Sequence, residues 1–179
     1  MHDEASMPAA PQPPLPADVR PTHWEDFAPG LVIELGQRRI ERDEIIEFAS
    51  RYDPQRFHLD EQAAAASIFG GLCASGWHTV ATMMRLMCDR YLLGSASQGS
   101  PGVDKLRWKA PLRPGDTLSG RMIVLEARPM ASKPHIGLVN CRWEGINQHG
   151  VLVVELEGWG MFLRRAPGTP APWEAAAAG

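Results

Sequence analysis

The stretch SGWHTVATMMRLMCDRYLL, residues 75–93, decides how the chain folds. Its apolar residues recur at helical spacing, with Trp77, Val80, Ala81, Met84, Met87, Cys88 and Tyr91 on one face. Met83, Leu86, Leu92 and Leu93 widen the apolar arc past half the circumference. Mainly His78, Thr82, Arg85 and Asp89 keep a polar stripe. A helix this apolar must be covered on most sides, so it is expected at the centre of the molecule. Ser75 stands where a helix cap is favoured, and Gly76 follows it directly.

Downstream of this helix the pattern changes to strands. Residues 103–110 place Leu106 and Trp108 on one face and Lys105, Arg107 and Lys109 on the other. PLRPGD at 111–116 reads as a turn, and residues 117–128, 136–146 and 151–164 read as long strands. NQHG at 147–150 joins the last two as a hairpin. Upstream, residues 31–40 follow the turn signal Pro29-Gly30 as a first strand. Residues 41–52 switch to helical spacing through Ile45, Phe48, Ala49 and Tyr52, and Pro54 ends that helix. Residues 60–67 form a short helix capped by Asp60. One buried helix with about five long strands predicts an α+β fold with a mainly antiparallel sheet.

The composition bounds what such a domain does. The chain has 179 residues, 44% hydrophobic and 22% charged, which is the make-up of a globular protein. No apolar run approaches the ~20 residues of a membrane span, so no membrane partner is expected. A net charge of −3 argues against a general nucleic-acid binder. That charge is unevenly placed: Asp3, Glu4, Asp18 and Glu174 against Arg20 put all of it in the ends, leaving residues 24–165 neutral. Nine of the 16 prolines also lie in the ends. The expected organisation is therefore a disordered Pro-rich arm over 1–23, one domain over 24–165 and a flexible tail over 166–179. Cys73, Cys88 and Cys141 are odd in number and widely spaced. They suit a reducing compartment and no metal site, and with no secretory leader a cytoplasmic location is expected.

The chemistry-bearing segment is DPQRFHLD, residues 53–60. Asp53 and His58 stand five apart across Pro54, at a bend between two helices that can bring their side chains together. A carboxylate with an imidazole is a common pair for moving protons near neutral pH. Spacing alone fits equally a capping Asp53 and a packed His58, which is the commoner outcome for such a pair.

DPQRFHLD at 53–60, FGGLCASG at 69–76 and PLRPGD at 111–116 together resemble the MaoC-like dehydratase family, which includes the (R)-specific enoyl-CoA hydratases. WEDFAPG at 24–30 is similar to that family's start, and the resemblance covers roughly residues 24–165. It implies a hot-dog fold, a long antiparallel sheet wrapped around one central helix. It implies that Asp53 and His58 hold and activate a water, and that the Gly76 amide binds a thioester oxygen. Four positions depart from the family pattern: Gln55 replaces Asn, Arg56 replaces Pro, Tyr52 replaces Gly and Ser75 replaces His. Ser75, Phe57, Phe69 and Trp77 are candidates for holding substrate, with helix capping for Ser75 and core packing for the aromatics as the alternatives. His78, Thr79 and Thr82 stand near the same helix entry, where a packing or surface role is the commoner reading. Lys105, Arg107 and Lys109 suit either a solvated strand face or the phosphates of coenzyme A.

The implied reaction is reversible hydration of a 2-enoyl-CoA, or dehydration of a 3-hydroxyacyl-CoA. Coenzyme A enters only as part of the substrate, and no metal or redox cofactor is expected. The alternatives are an acyl-CoA thioesterase on the same fold and a non-catalytic acyl-CoA-binding module. The unpaired edges of an isolated sheet further predict a homodimer or a higher homo-oligomer.

Overall fold

The computed structural model describes residue 16 and residues 18–177. The chain order is β1 (Val32–Arg39), α1 (Arg42–Tyr52), a 3-10 turn (Arg56–His58), α2 (Glu61–Ala65), α3 (Gly76–Arg90), β2 (Gly102–Trp108), β3 (Thr117–Pro129), β4 (Ile136–Asn147), β5 (Leu152–Leu163) and α4 (Pro172–Ala177). The five strands form one sheet in the order β1-β3-β4-β5-β2. Every neighbouring pair is antiparallel. A long antiparallel sheet packed on one long helix is the hot-dog arrangement.

The helix seats against the sheet in a groove over two paired strands. Gly120 of β3 and Gly145 of β4 face each other in register. A Cβ on Gly120 would lie 3.2 Å from Leu86 Cδ1, and one on Gly145 would lie 3.0 Å from Met83 Sδ. These two glycines therefore open the groove that Met83 and Leu86 fill, and both of those side chains are buried.

This seating corrects the face expected for α3. Trp77 is 58% exposed and Met84 is 49% exposed, whereas His78 and Thr82 of the expected polar stripe are buried. The polar pair is buried with part of its hydrogen bonding supplied, His78 Nδ1 being left without a partner among the described residues. The His78 ring stacks on Phe48 of α1 at 4.8 Å, and its Nε2 lies 3.3 Å from Glu44 Oε1. Thr82 Oγ1 donates to the His78 carbonyl. Burial pushes the His78 pKa below its ordinary value, against the pull of Glu44.

The C-terminal segment also differs from its expectation. Rather than leaving the domain as a flexible tail, residues 166–177 return to it and end in α4. Ala171 is buried, and Trp173 packs edge-on against Trp24 at 5.1 Å. Trp173 Nε1 donates to the Glu25 carbonyl. Arg165 clasps the Asp26 carboxylate through two nitrogens, at 2.7 and 2.8 Å. A single tryptophan docks a short Ala- and Pro-rich segment because its partner lies about 150 residues away, in the 3-10 turn Trp24–Asp26. The expected N-terminal arm falls largely outside the described residues. Its last part is tied down: Pro21 is buried, and Arg90 donates to the carbonyls of Pro16 and Val19.

Candidate active site

Pro54 ends α1, and Asp53 becomes its last capping residue, with its N–H bonded to the Ala49 carbonyl. The chain then bends tightly, Gln55 N–H donating to the Asp53 carbonyl at 2.7 Å. The following 3-10 turn carries His58 back toward Asp53. His58 Nε2 comes to 3.5 Å from Asp53 Oδ2, and the imidazole is 6% exposed. That separation is long for a direct hydrogen bond.

The other ring nitrogen fixes the tautomer. His58 Nδ1 lies 2.8 Å from the Cys73 carbonyl oxygen. A carbonyl only accepts, so Nδ1 carries the proton, and in the neutral ring the Nε2 lone pair faces Asp53. Phe57 and Phe69 pack beside this imidazole, with Phe57 edge-on at 4.5 Å and the two phenyl rings 5.0 Å apart.

Asp53 is held at both oxygens. Ser75 Oγ donates to Oδ2 at 2.6 Å, and Gln55 Nε2 donates to Oδ1 at 2.7 Å. Burial pushes the Asp53 carboxyl up. The hydrogen bonds from Ser75 and Gln55 and the charge of His58 outweigh it and leave the group below the usual carboxylate range. Ser75 also caps α3, accepting from Trp77 N–H at 3.2 Å. Gly76 is the first residue of α3. Its N–H has no acceptor among the described residues, so it stays available at the positive end of the helix dipole. The Trp108 indole of β2 packs closely against it; a Cβ on Gly76 would sit 2.6 Å from Trp108 Nε1.

These parts surround one cavity of about 400 Å³, lined by Asp53, His58, Gly76, Phe57, Phe69 and Trp77 of the expected set. Ser75 is the exception. It is fully buried and reaches Asp53 rather than the cavity. Of the residues given a background role, Thr79 and Lys109 line the cavity, while His78 and Thr82 border a separate cleft across α3. Lys105 pairs with Glu157 on the outer sheet face, as the solvated-face reading has it.

Sequence reasoning missed Gln55 as a partner of Asp53 and Trp108 as the wall over Gly76. The inward alternation of Leu106 and Trp108 in β2 was the one signal for the latter. Trp77 and Trp108 meet edge-on at 5.6 Å, and both are about half exposed, so they form the rim. The site thus places a proton-accepting imidazole, an anion and a free backbone N–H around a single space.

A family model described as the MaoC like domain matches residues 26–139. The chain is 28% identical over 133 residues to the uncharacterized protein YdeM of Bacillus subtilis (strain 168), spanning 74% of this chain and 93% of that protein. Among solved structures it is similar to the MaoC-like dehydratase from Rhodospirillum rubrum. There the TM-score is 0.75 at 40% identity, covering 82% of this chain and 99% of the other. It is also similar to the (R)-hydratase from A. caviae involved in PHA biosynthesis, with a TM-score of 0.56 at 25% identity over 72% of this chain and 91% of the other.

Proposed function

Because this chain belongs to the MaoC-like dehydratase family, we propose that it catalyses the reversible addition of water to a 2-enoyl-CoA. The observation that carries this reading is the convergence of Asp53, His58 and Gly76 on one cavity. A water between Asp53 Oδ2 and His58 Nε2 bridges a gap too long for direct bonding. Nε2 is the one ring nitrogen free to take its proton. As the water oxygen bonds to the β-carbon, negative charge builds on the thioester oxygen. The Gly76 N–H meets that charge without reorganisation, an effect worth about 3 kcal/mol in the barrier for a donor of this kind.

A second cavity, of about 270 Å³, suggests where the acyl chain goes. Val80, Met83, Met84 and Met87 line it along α3, and Val103 of β2 covers it. These positions continue the side of α3 that starts at Gly76, so a chain whose thioester sits at Gly76 would run roughly 6–17 Å along the helix to fill it. This fits an apolar acyl group of medium length.

We further propose that the molecule works as a homodimer. The outer edge of β2 is unpaired among the described residues. Exposed Val103, Trp108, Trp77 and Met84 lie beside that edge, and pairing across a two-fold axis would cover both the edge and these side chains.

The test is loss of enoyl-thioester absorbance on adding the full chain to a panel of 2-enoyl-CoAs. His58→Ala should lower kcat by about 10²–10⁴-fold, the range for a lost acid–base group, and Asp53→Asn, which removes the anion that holds the water and faces the imidazole, should lower it as well. Unchanged turnover in both variants, with folding intact by circular dichroism, would overturn the assignment.

A further inference from the structure

The geometry points to a division of labour within the catalytic pair: Ser75 and Gln55 are positioning residues that hold Asp53 as an anion throughout turnover, so that His58 Nε2 alone carries the proton in both directions. This rests on the hydration reading for its chemistry, but the clamp itself stands on the hydrogen bonds.

Each Asp53 oxygen already accepts from a donor, Ser75 Oγ at 2.6 Å and Gln55 Nε2 at 2.7 Å. The Ser75 hydroxyl has one proton to give. Its oxygen accepts from Trp77 N–H, which leaves that proton directed at Asp53. Gln55 Nε2 has only protons to offer. Protonating Asp53 would turn the acceptor of two charge-assisted hydrogen bonds into a weaker, neutral one. Ser75 is fully buried, so its hydroxyl has no solvent to turn to for a better acceptor. The clamp outweighs the cost of burying the carboxylate, in keeping with a carboxyl held below its usual range. The titratable and charged side chains that line the cavity with Asp53 are His58 from the 3-10 turn, Cys73 from the segment before α3 and Lys109 beyond β2. Of these His58 approaches the carboxylate, at 3.5 Å. The Cys73 thiol is pushed up by burial, with Arg113 pulling the other way, and so stays neutral.

The proton then has one route. One O–H bond of the water breaks and its proton goes to His58 Nε2 as the oxygen bonds to the β-carbon. The displaced π electrons move onto the α-carbon and the thioester oxygen at Gly76 N–H. The Nε2–H bond then breaks, its proton goes to the α-carbon, and the imidazole returns to its starting form. Asp53 begins and ends as a carboxylate and steadies the imidazolium between the two transfers. Ser75, standing where the family pattern has His, and Gln55, where it has Asn, are the side chains that support this anion here.

The test is the carbon-13 titration of the Asp53 carboxyl, with kcat and KM beside it, in Gln55→Leu, Ser75→Ala and Ser75→Thr. Each donor lost weakens the hold on the anion, so the carboxyl should titrate higher than in wild type in Gln55→Leu and in Ser75→Ala. At neutral pH kcat should fall about tenfold while KM stays within about twofold. Ser75→Thr, which keeps both the cap and the donor, should restore the wild-type titration. Gln55 is exposed, and although it is the N-cap residue of the 3-10 turn its side chain makes no capping bond there, so its variant separates the clamp from folding. Superimposable Asp53 titrations for wild type, Gln55→Leu and Ser75→Ala would overturn the proposal. So would activity losses that only follow melting temperature. The titration, followed by NMR, reads the clamp without turnover. An upward shift there, in a chain that hydrates no enoyl-CoA, would keep the clamp and sink the hydration reading; no shift would sink the clamp.

Discussion

Gly76 is held to its identity from two sides. Its N–H is free at the entry of α3, and its missing Cβ makes room for the Trp108 ring. Gly76→Ala should therefore cost about 1–3 kcal/mol of stability through overpacking, as well as activity. Adding Trp108→Ala to it should return the melting temperature, because the opposing ring is gone. Thermal unfolding of the single and double variants checks this, and equal melting points for Gly76→Ala and wild type would contradict it. At this scale the sequence disclosed that Asp53 and His58 come together. Pro54 forces the bend between them, but spacing alone favoured a cap and a packed imidazole, and the resemblance to the family motif is what singled the pair out. The hold on Asp53 was not legible. It depends on α3 entering beside the carboxylate, 22 residues further on at Ser75, and on the rotamer of Gln55. Trp108 meets Gly76 only because β2 closes the sheet edge above it.

The central helix was readable as an element but not in its orientation. Spacing and capping located α3 to within three residues, from Ser75 as its cap to Arg90 as its last residue. Hydrophobicity alone then chose the wrong side as the most buried. Two opposed glycines in neighbouring strands, Gly120 and Gly145, decide where the sheet receives the helix. Phe48 and Glu44 of α1 make a buried His78 acceptable. The apolar excess of α3 is spent on the second cavity and on the exposed Trp77 and Met84. If that cavity takes the acyl chain, Met87→Trp should shorten the preferred substrate. Its kcat/KM for an eight-carbon enoyl-CoA should fall about tenfold or more relative to a four-carbon one, the scale of discrimination by a few methylenes. An unchanged ratio would place the chain elsewhere.

Across the whole molecule, the two ends of the domain are locked together at Asp26. Burial raises its carboxyl, but Arg165 and the backbone N–H groups of Thr22 and His23 outweigh that and leave it well below the ordinary carboxylate range. A carboxyl depressed in the folded state contributes fully above the unfolded value near 3.9 and loses its contribution as pH falls through the lower folded value. Asp26→Asn should therefore melt at a lower temperature than wild type at pH 7, and the gap should narrow below about pH 4. A constant gap would mean that the pair is not what couples the ends. Neither terminus could be placed from composition, because Trp24 and Trp173 are distant in sequence and adjacent in space. The proposed dimer is checked by sedimentation at micromolar concentration, where a monomer would count against pairing through β2. The central claim concerns what the assembled molecule does to an enoyl thioester, and one measurement meets it directly. The full chain is incubated with a 2-enoyl-CoA in oxygen-18 water, and the product is read by mass spectrometry together with a free-thiol assay. The account predicts a 3-hydroxyacyl-CoA carrying one heavy oxygen and no released coenzyme A. Free thiol with a labelled carboxylic acid, or an unchanged enoyl-CoA across the panel, would contradict it.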